Sequence, residues 1–367
     1  MKKILHVGQL IGGLDVYIRN TIIHSDGRFE YVIVHGEDDS SKPIIKEGVK
    51  IVEYKVSLQR DLNAVKDLRC LKQVVDIIRK EKPDLIHCHS AKGGAIGRIA
   101  GWITGTVTCY TPHAFSFLCT PSKFKSGIYK LIERFTRFGT YVMACSESEQ
   151  QMAMTEVGYD KNHTLVWHNA VPDVSEEHGN IPEIEGDYAC YIGRPCYQKN
   201  VLFLVDVIEK LKEMGEKLKF ILLGVGYHSP DLQALQNKIR EKGLDGYIVL
   251  EPWINHADCQ EYVKRSLFYI TTSLYEGLPL AVIEAMAQSK VVIASDVIGN
   301  RDCVEDGVTG FLLPHDVDKF AELICRIVDD KNLRKGMEQR ARKIFLSKFY
   351  IDKQIGSLMG KYDSLIV

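Results

Sequence analysis

Cysteine is present in this chain, but paired cysteine motifs are not. The ten cysteines, Cys70, Cys88, Cys109, Cys119, Cys145, Cys190, Cys196, Cys259, Cys303 and Cys325, form no C-x-x-C. Most lie in apolar patterns, so they read as small buried hydrophobes in a reducing compartment, not as a disulfide or zinc framework. Long apolar runs are also missing: nothing approaches the roughly 20 residues a membrane-spanning helix needs. Met1-Lys-Lys leads directly into a short apolar run, so no signal peptide is expected and a cytoplasmic location is. Neither sign of charge is in excess, with 47 Lys+Arg against 48 Asp+Glu, which gives no footing for nucleic acid. The dinucleotide fingerprint G-x-G-x-x-G is absent as well. The Gly12-Gly13 loop does not match it, and Ser229 stands where a third glycine would follow Gly224 and Gly226. A dehydrogenase is therefore disfavoured.

What is present is alternation. Strand-like apolar runs fall at 3–8, 30–35, 84–88, 106–111 and 140–144, with helical patterns between most of them, clearest at 64–80 and 124–138. The plan repeats at 188–192, 218–223, 247–250, 267–272 and 290–294. Such alternation predicts α/β architecture, with parallel sheets covered by helices. Two series in 367 residues predict two Rossmann-like domains. The polar, acidic stretch 173–187 reads as the linker, giving a first domain at 1–172 and a second at 173–349. Beyond it, Ile351, Ile355, Leu358, Met359, Tyr362 and Leu365 have helical spacing in a tail at about 350–367.

Three segments carry chemistry. In Tyr275-Glu276-Gly277-Leu278-Pro279-Leu280-Ala281-Val282-Ile283-Glu284, a strand-like run ends in a glycine loop that opens a helix. Pro279 suits the first helical turn. A helix N-terminus offers free N–H groups and partial positive charge to a phosphate, and flanking carboxylates can accept hydrogen bonds from sugar hydroxyls. In Gly193-Arg194-Pro-Cys-Tyr-Gln-Lys199, two cations follow a strand, at the edge where open α/β sheets bind ligands. Arginine grips a diphosphate through two parallel bonds, and lysine acts as a point charge. Near the start, Gly12-Gly13 follows a strand and opens a helix, so backbone can approach a phosphate closely. Together the three describe a pocket for a nucleotide sugar.

These segments recur in a fixed order with Asp84-Leu-Ile-His-Cys-His89-Ser90, Thr111-Pro-His113-Ala-Phe115, Ala144-Cys-Ser146-Glu147, Asn169-Ala-Val171 and Val308-Thr-Gly310-Phe-Leu-Leu. In that order they resemble the retaining glycosyltransferases of family 4, which have the GT-B fold. The resemblance implies two Rossmann-like domains facing each other across a cleft, an acceptor-binding first domain, a donor-binding second domain and a C-terminal helix crossing back to the first. It implies that Glu276 holds the donor sugar's hydroxyls and Glu284 the ribose. Arg194 and Lys199 would neutralise the leaving diphosphate, with Gly12, Gly13, Gly277, Leu278, Pro279 and Leu280 close to the donor. His113 would meet the transferred sugar, which places it with Glu276, Arg194 and Lys199 in the catalytic set. His89 and Asp15 are candidates for the acceptor side; Asp15 replaces the family's usual glutamate and reaches less far.

The resemblance further implies a UDP-sugar donor, a saccharide or lipid-linked acceptor in polysaccharide or glycolipid assembly, and no metal or other cofactor. Asp316-Val317-Asp318 has the D-x-D form that holds a divalent ion in some sugar transferases, but it opens a helical pattern and reads as a cap. His87 and His89 share a strand face, too few ligands for zinc. The stretch 122–137 mixes five cations with Phe, Ile, Tyr and Leu. It is either a covering helix with a solvated basic face or a surface for peripheral contact with the membrane's inner face. A nucleotide-sugar epimerase on the same scaffold and a non-catalytic sugar-nucleotide binding protein remain as alternatives.

Overall fold

Each apolar run becomes a parallel strand, and the reason is connectivity. Parallel neighbours need a crossover of a dozen residues or more, and the amphipathic stretches supply it. In a computed structural model, which describes residues 1–37, 39, 42–59, 63–226 and 229–366, the chain forms two units. They comprise Met1–Pro172 with Tyr350–Val367, and Asp173–Phe349.

The first unit holds β1 (Lys2–Val7), β2 (Phe29–Gly36), β3 (Ile51–Val56), β4 (Leu85–His89), β5 (Thr108–Thr111), β6 (Tyr141–Ala144) and β7 (Thr164–Val166). They form one sheet in the order β3-β2-β1-β4-β5-β6-β7. Strands β3 and β7 were not expected. The first is a half-buried edge strand carrying Glu53 and Lys55, and the second has three residues, so neither shows the apolar run of a central strand. One face is covered by the helices Gly13–Ile23 and Ile351–Leu365. The tail helix buries Ile351, Ile355, Leu358, Met359, Tyr362 and Leu365, and the Ile351 N–H donates to the Val171 carbonyl at 3.0 Å. The helix Ser90–Thr104 lies so close to the other face that a Cβ on Gly94 would strike the Tyr110 ring.

The second unit holds β8 (Tyr188–Ile192), β9 (Lys219–Leu223), β10 (Ile248–Glu251), β11 (Tyr269–Thr271), β12 (Val292–Ser295) and β13 (Gly310–Leu313). Their order is β10-β9-β8-β11-β12-β13, and every pair is parallel. The chain is thus α/β with two Rossmann-like sheets.

One helix breaks the usual rule of apolar side inward. In Lys123–Phe135 the buried residue is Glu133, at 2% exposure, while Phe124 is 78%, Phe135 75% and Leu131 50% exposed. Glu133 accepts from the Arg98 guanidinium at 2.8 Å, the Tyr110 hydroxyl at 3.1 Å and the Ser116 hydroxyl at 3.3 Å. Burial opposes the charge on Arg98, but Glu133, together with Tyr110, Tyr159 and Cys88, raises its pKa on balance. Removing one partner of such a buried pair costs about 3–5 kcal/mol. A polar pin therefore holds this helix, and its apolar face is left outside.

Candidate active site

The second unit gathers most of the expected residues at the C-terminal edge of its sheet. Strands β8 and β11 are neighbours, so the loops that follow them emerge side by side. The loop after β8 carries Gly193, half-buried Arg194 and the turn Tyr197–Lys199. The loop after β11 carries buried Glu276, then Gly277 and Leu278, and runs into the helix Leu280–Ala287 that carries Glu284.

Glu276 is heavily bonded. Its Oε1 accepts from Lys199 Nζ at 2.6 Å and from Ser273 Oγ at 2.6 Å, and its Oε2 accepts from Gln198 Nε2 at 3.1 Å. Gly299, at φ 86°, packs so closely that a Cβ there would stand 2.6 Å from the Glu276 Cβ. Only glycine meets both the left-handed backbone and that approach. Pro279 is the N-cap of the following helix, one place earlier than expected. It has no side-chain acceptor, so no side chain caps the first-turn N–H groups of this helix.

Glu284 accepts from His256 Nε2 at 3.0 Å through Oε1 and from Gln260 Nε2 at 3.0 Å through Oε2. The other nitrogen of His256 meets Glu177 at 3.1 Å. Hydrogen bonding to Glu284, against the opposing effect of burial, lifts the His256 pKa to about 9. Ser273, Gln198, Gly299, His256 and Gln260 were all missed in the sequence. For the last two a signal exists: Asn255 caps the helix His256–Arg265, and a spacing of four puts His256 and Gln260 on one face.

The first unit gathers the rest at its own sheet edge. Gly12 caps the helix Gly13–Ile23 at φ 58°, where a side chain would be strained although nothing lies within 4 Å. Asp15 pairs with Arg19 at 3.1 Å; burial raises its pKa and Arg19 opposes the rise. His113 and Ala114 follow β5 with φ of 52° and 78°, left-handed values that cost non-glycine residues about 1–3 kcal/mol each. Glu149, unremarked in the sequence, holds this turn. Its buried carboxylate accepts from the Ala114 and Cys145 N–H groups, both at 2.8 Å.

His89 differs from expectation. Placed on the acceptor side by the sequence, it is instead wholly buried under β1 and the helix Gly13–Ile23. Its Nε2 lies 3.0 Å from His6 Nδ1 and its Nδ1 lies 3.2 Å from His113 Nε2. His87 is a packed strand residue. The β1–β4 register sets His6 opposite His87, so three histidines cluster there, with ligand atoms within 4.8 Å of one another, where the sequence counted two. In the D-x-D string, Asp316 accepts from the Lys319 N–H at 3.2 Å as a helix cap, and Asp318 pairs with Lys210 at 2.9 Å.

Two parallel sheets, each with candidate residues at its C-terminal edge, make two Rossmann-like units. Residues 11–174 match the model described as Glycosyltransferase Family 4, and residues 175–344 that described as Glycosyl transferases group 1. The chain belongs to the family 4 glycosyltransferases. It is 29% identical over 329 residues to the UDP-Gal:alpha-D-GlcNAc-diphosphoundecaprenol alpha-1,3-galactosyltransferase of Escherichia coli, covering 85% of this chain and 83% of that protein. It is 25% identical to the capsular polysaccharide biosynthesis glycosyltransferase CapM of Staphylococcus aureus, over 81% of each chain. Among solved structures, HepE of Anabaena in complex with UDP and glucose superposes with a TM-score of 0.80 at 19% identity, covering 99% of this chain and 100% of that one. Sucrose-phosphate synthase of Thermosynechococcus elongatus reaches 0.85 at 17% identity, covering 100% and 99%. These likenesses show the GT-B fold.

The raised pKa of His256 has a testable consequence. Its contribution to stability is fully present below the ordinary histidine value and is lost as pH rises through about 9. The melting temperature of the parent should therefore exceed that of His256→Gln near neutral pH, and the gap should close above pH 9. A gap independent of pH would mean that His256 is neutral beside Glu284.

Proposed function

We propose that this protein transfers a hexosyl-type sugar from a UDP-sugar to a hydroxyl of a lipid-linked saccharide, with retention at the anomeric carbon and without a metal. One observation carries the reading: Glu276 and Glu284 flank the uncapped start of the helix Leu280–Ala287, with Lys199 bonded to the first. A carboxylate has about four lone-pair sites, so Glu284, bonded to His256 and Gln260, keeps about two for the adjacent hydroxyls of a ribose. Glu276 keeps room for a sugar hydroxyl, and Ser273 and Gln198 hold it in place to receive one.

The difficult part of the reaction is the charge that develops as the C1–O bond breaks and the diphosphate leaves with its electron pair. Arg194, Lys199 and the helix start answer it with fixed positive charge and N–H donors. Positive charge then builds on the sugar, shielded on one face by the departing diphosphate. The acceptor oxygen bonds to C1 from that same face and passes its proton to the diphosphate oxygen, so the configuration is kept. His113 orients the sugar.

The donor and acceptor classes are supported by relatives. The Escherichia coli protein's name joins UDP-galactose to a diphosphoundecaprenol acceptor, and HepE was crystallised with UDP and glucose. A lipid-linked acceptor suits the exposed face of the helix Lys123–Phe135. No described helix is long and apolar enough to cross a membrane. This one exposes Phe124, Ile128, Leu131, Ile132 and Phe135, and just beyond it Phe138 stacks on exposed Trp102 at 5.2 Å. Of its cations, Lys130 pairs with Glu156 and Arg134 donates to the Glu156 carbonyl, and Arg137 just beyond the helix donates to the Gly158 carbonyl. Lys123 and Lys125 have no ion pair among the described residues. Apolar side chains beside free cations fit an anionic bilayer surface.

Calorimetry against UDP-, GDP-, ADP- and dTDP-sugars should find binding to the UDP class. Glu284→Ala should weaken it about ten- to hundred-fold, the loss of about 1.5–3 kcal/mol in charge-assisted hydrogen bonds. Binding to no nucleotide sugar by a folded protein would remove the reading. Sedimentation with vesicles of anionic lipid should carry the parent down and leave a variant with Lys123, Lys125, Lys130, Arg134 and Arg137 neutralised in solution. Equal sedimentation of both would remove the membrane surface.

A further inference from the structure

Outside the loops after β8 and β11, the first unit holds a buried cluster of imidazoles. His6, His87 and His89 lie on one sheet face, and all three are fully buried. They do not have equal roles. The Thr111 hydroxyl donates to the Met143 carbonyl at 2.7 Å, so toward His87 Nε2, 2.8 Å away, it can only accept. His87 is therefore protonated on Nε2, and its Nδ1 accepts from the Tyr362 hydroxyl at 2.7 Å. Both nitrogens of His87 are used, which removes it as a metal ligand.

The other rings form a line. His6 Nδ1 lies 3.0 Å from His89 Nε2, and His89 Nδ1 lies 3.2 Å from His113 Nε2. Burial holds His6 and His113 down to about 3 and His89 well below its usual range, so each ring is neutral with a single N–H. A neutral ring that donates at one nitrogen must accept at the other. The three tautomers are consequently linked, and only two arrangements satisfy both contacts. In one, every ring carries its proton on Nδ1. In the other, every ring carries it on Nε2. His6 Nε2 is buried with no partner. The second arrangement would leave a buried N–H there without an acceptor, the rarer defect in proteins.

We propose that His6 and His89 are positioning residues that set the tautomer of His113, fixing its proton on Nδ1 and so making it a hydrogen-bond donor at the sheet's edge. The Nδ1 of His113 has no partner among the described residues, and the residue is not fully enclosed. Tyr17 packs edge-on against His113 at 4.8 Å and His89 at 5.5 Å between ring centres, which keeps both rings in line. His113 so held gives a proton-bearing nitrogen to a sugar or phosphate oxygen and cannot act as a base through Nδ1. This use of the donor rests on the transferase reading; the linked tautomers do not.

The test is a long-range proton–nitrogen correlation spectrum of the full chain labelled with 15N-histidine. His6, His89 and His113 should each show a protonated Nδ1, and His87 a protonated Nε2. His6→Asp places an acceptor where Nδ1 was, and should move the proton of both His89 and His113 to Nε2. With UDP-sugar and acceptor, the same variant should lower kcat about ten- to hundred-fold with donor KM unchanged, the loss of one well-placed donor. A parent spectrum with His113 protonated on Nε2 would overturn the proposal, even if the variant failed to fold. So would a His6→Asp spectrum with His113 unchanged, or one equivalent of Zn2+ shifting His6, His87 and His89 together. Correct tautomers in a protein that transfers no sugar would instead sink the transferase reading and leave the chain intact.

Discussion

Parallel pairing is the constraint on which the rest of this molecule depends. Every strand pair in both sheets runs parallel, so every strand ends at the same edge as its neighbours. The loops that follow those ends, and the neighbouring strands in register, bring distant segments together. In the second unit this brings Lys199 to Glu276 across 77 positions of sequence. In the first it brings His6 to His89 across 83.

A shared edge creates a second problem, because polar groups gathered there must be partnered. The two units meet it differently. In the second, carboxylates take cations and amides: Glu276 takes Lys199 and Gln198, and Glu284 takes His256 and Gln260. These bonds hold each carboxylate in one orientation while leaving lone pairs for hydroxyls. In the first unit, burial suppresses charge on the imidazoles, and they partner one another. Glu149 spends its carboxylate on backbone N–H groups and thereby holds His113 and Ala114 in their left-handed turn. Rigidity at the edge thus comes from the layer behind it.

Legibility in the sequence follows the same division. Central strands were readable because strands buried on both faces are continuous apolar runs, whereas β3 and β7 at the sheet's ends are short or half-exposed and carry no such signature. The strand Gly310–Leu313 was seen only as a motif. At the candidate site, Arg194, Lys199, Glu276 and Glu284 were readable because each follows a strand or opens a helix, where position alone suggests a ligand. Their supports were not. Gln198, Ser273, Gln260 and Glu149 are ordinary polar residues whose importance arises from tertiary contacts. His89 shows the opposite failure: its place near a strand's end suggested exposure, but a neighbouring strand and a covering helix enclose it.

The Lys123–Phe135 helix follows the same logic of partners. Its amphipathic pattern fits either a covering helix with the apolar side inward or a surface that meets a membrane. A buried arginine on a neighbouring helix demands Glu133, which turns that apolar side outward. The stereochemistry of transfer tests the central claim most directly. The protein would be given a UDP-hexose of α configuration and a diphospholipid-linked sugar, and the new anomeric proton followed by NMR. The account predicts an α-linked product from the parent and none from Lys199→Met. A β-linked product, or free hexose as the only product, would contradict it.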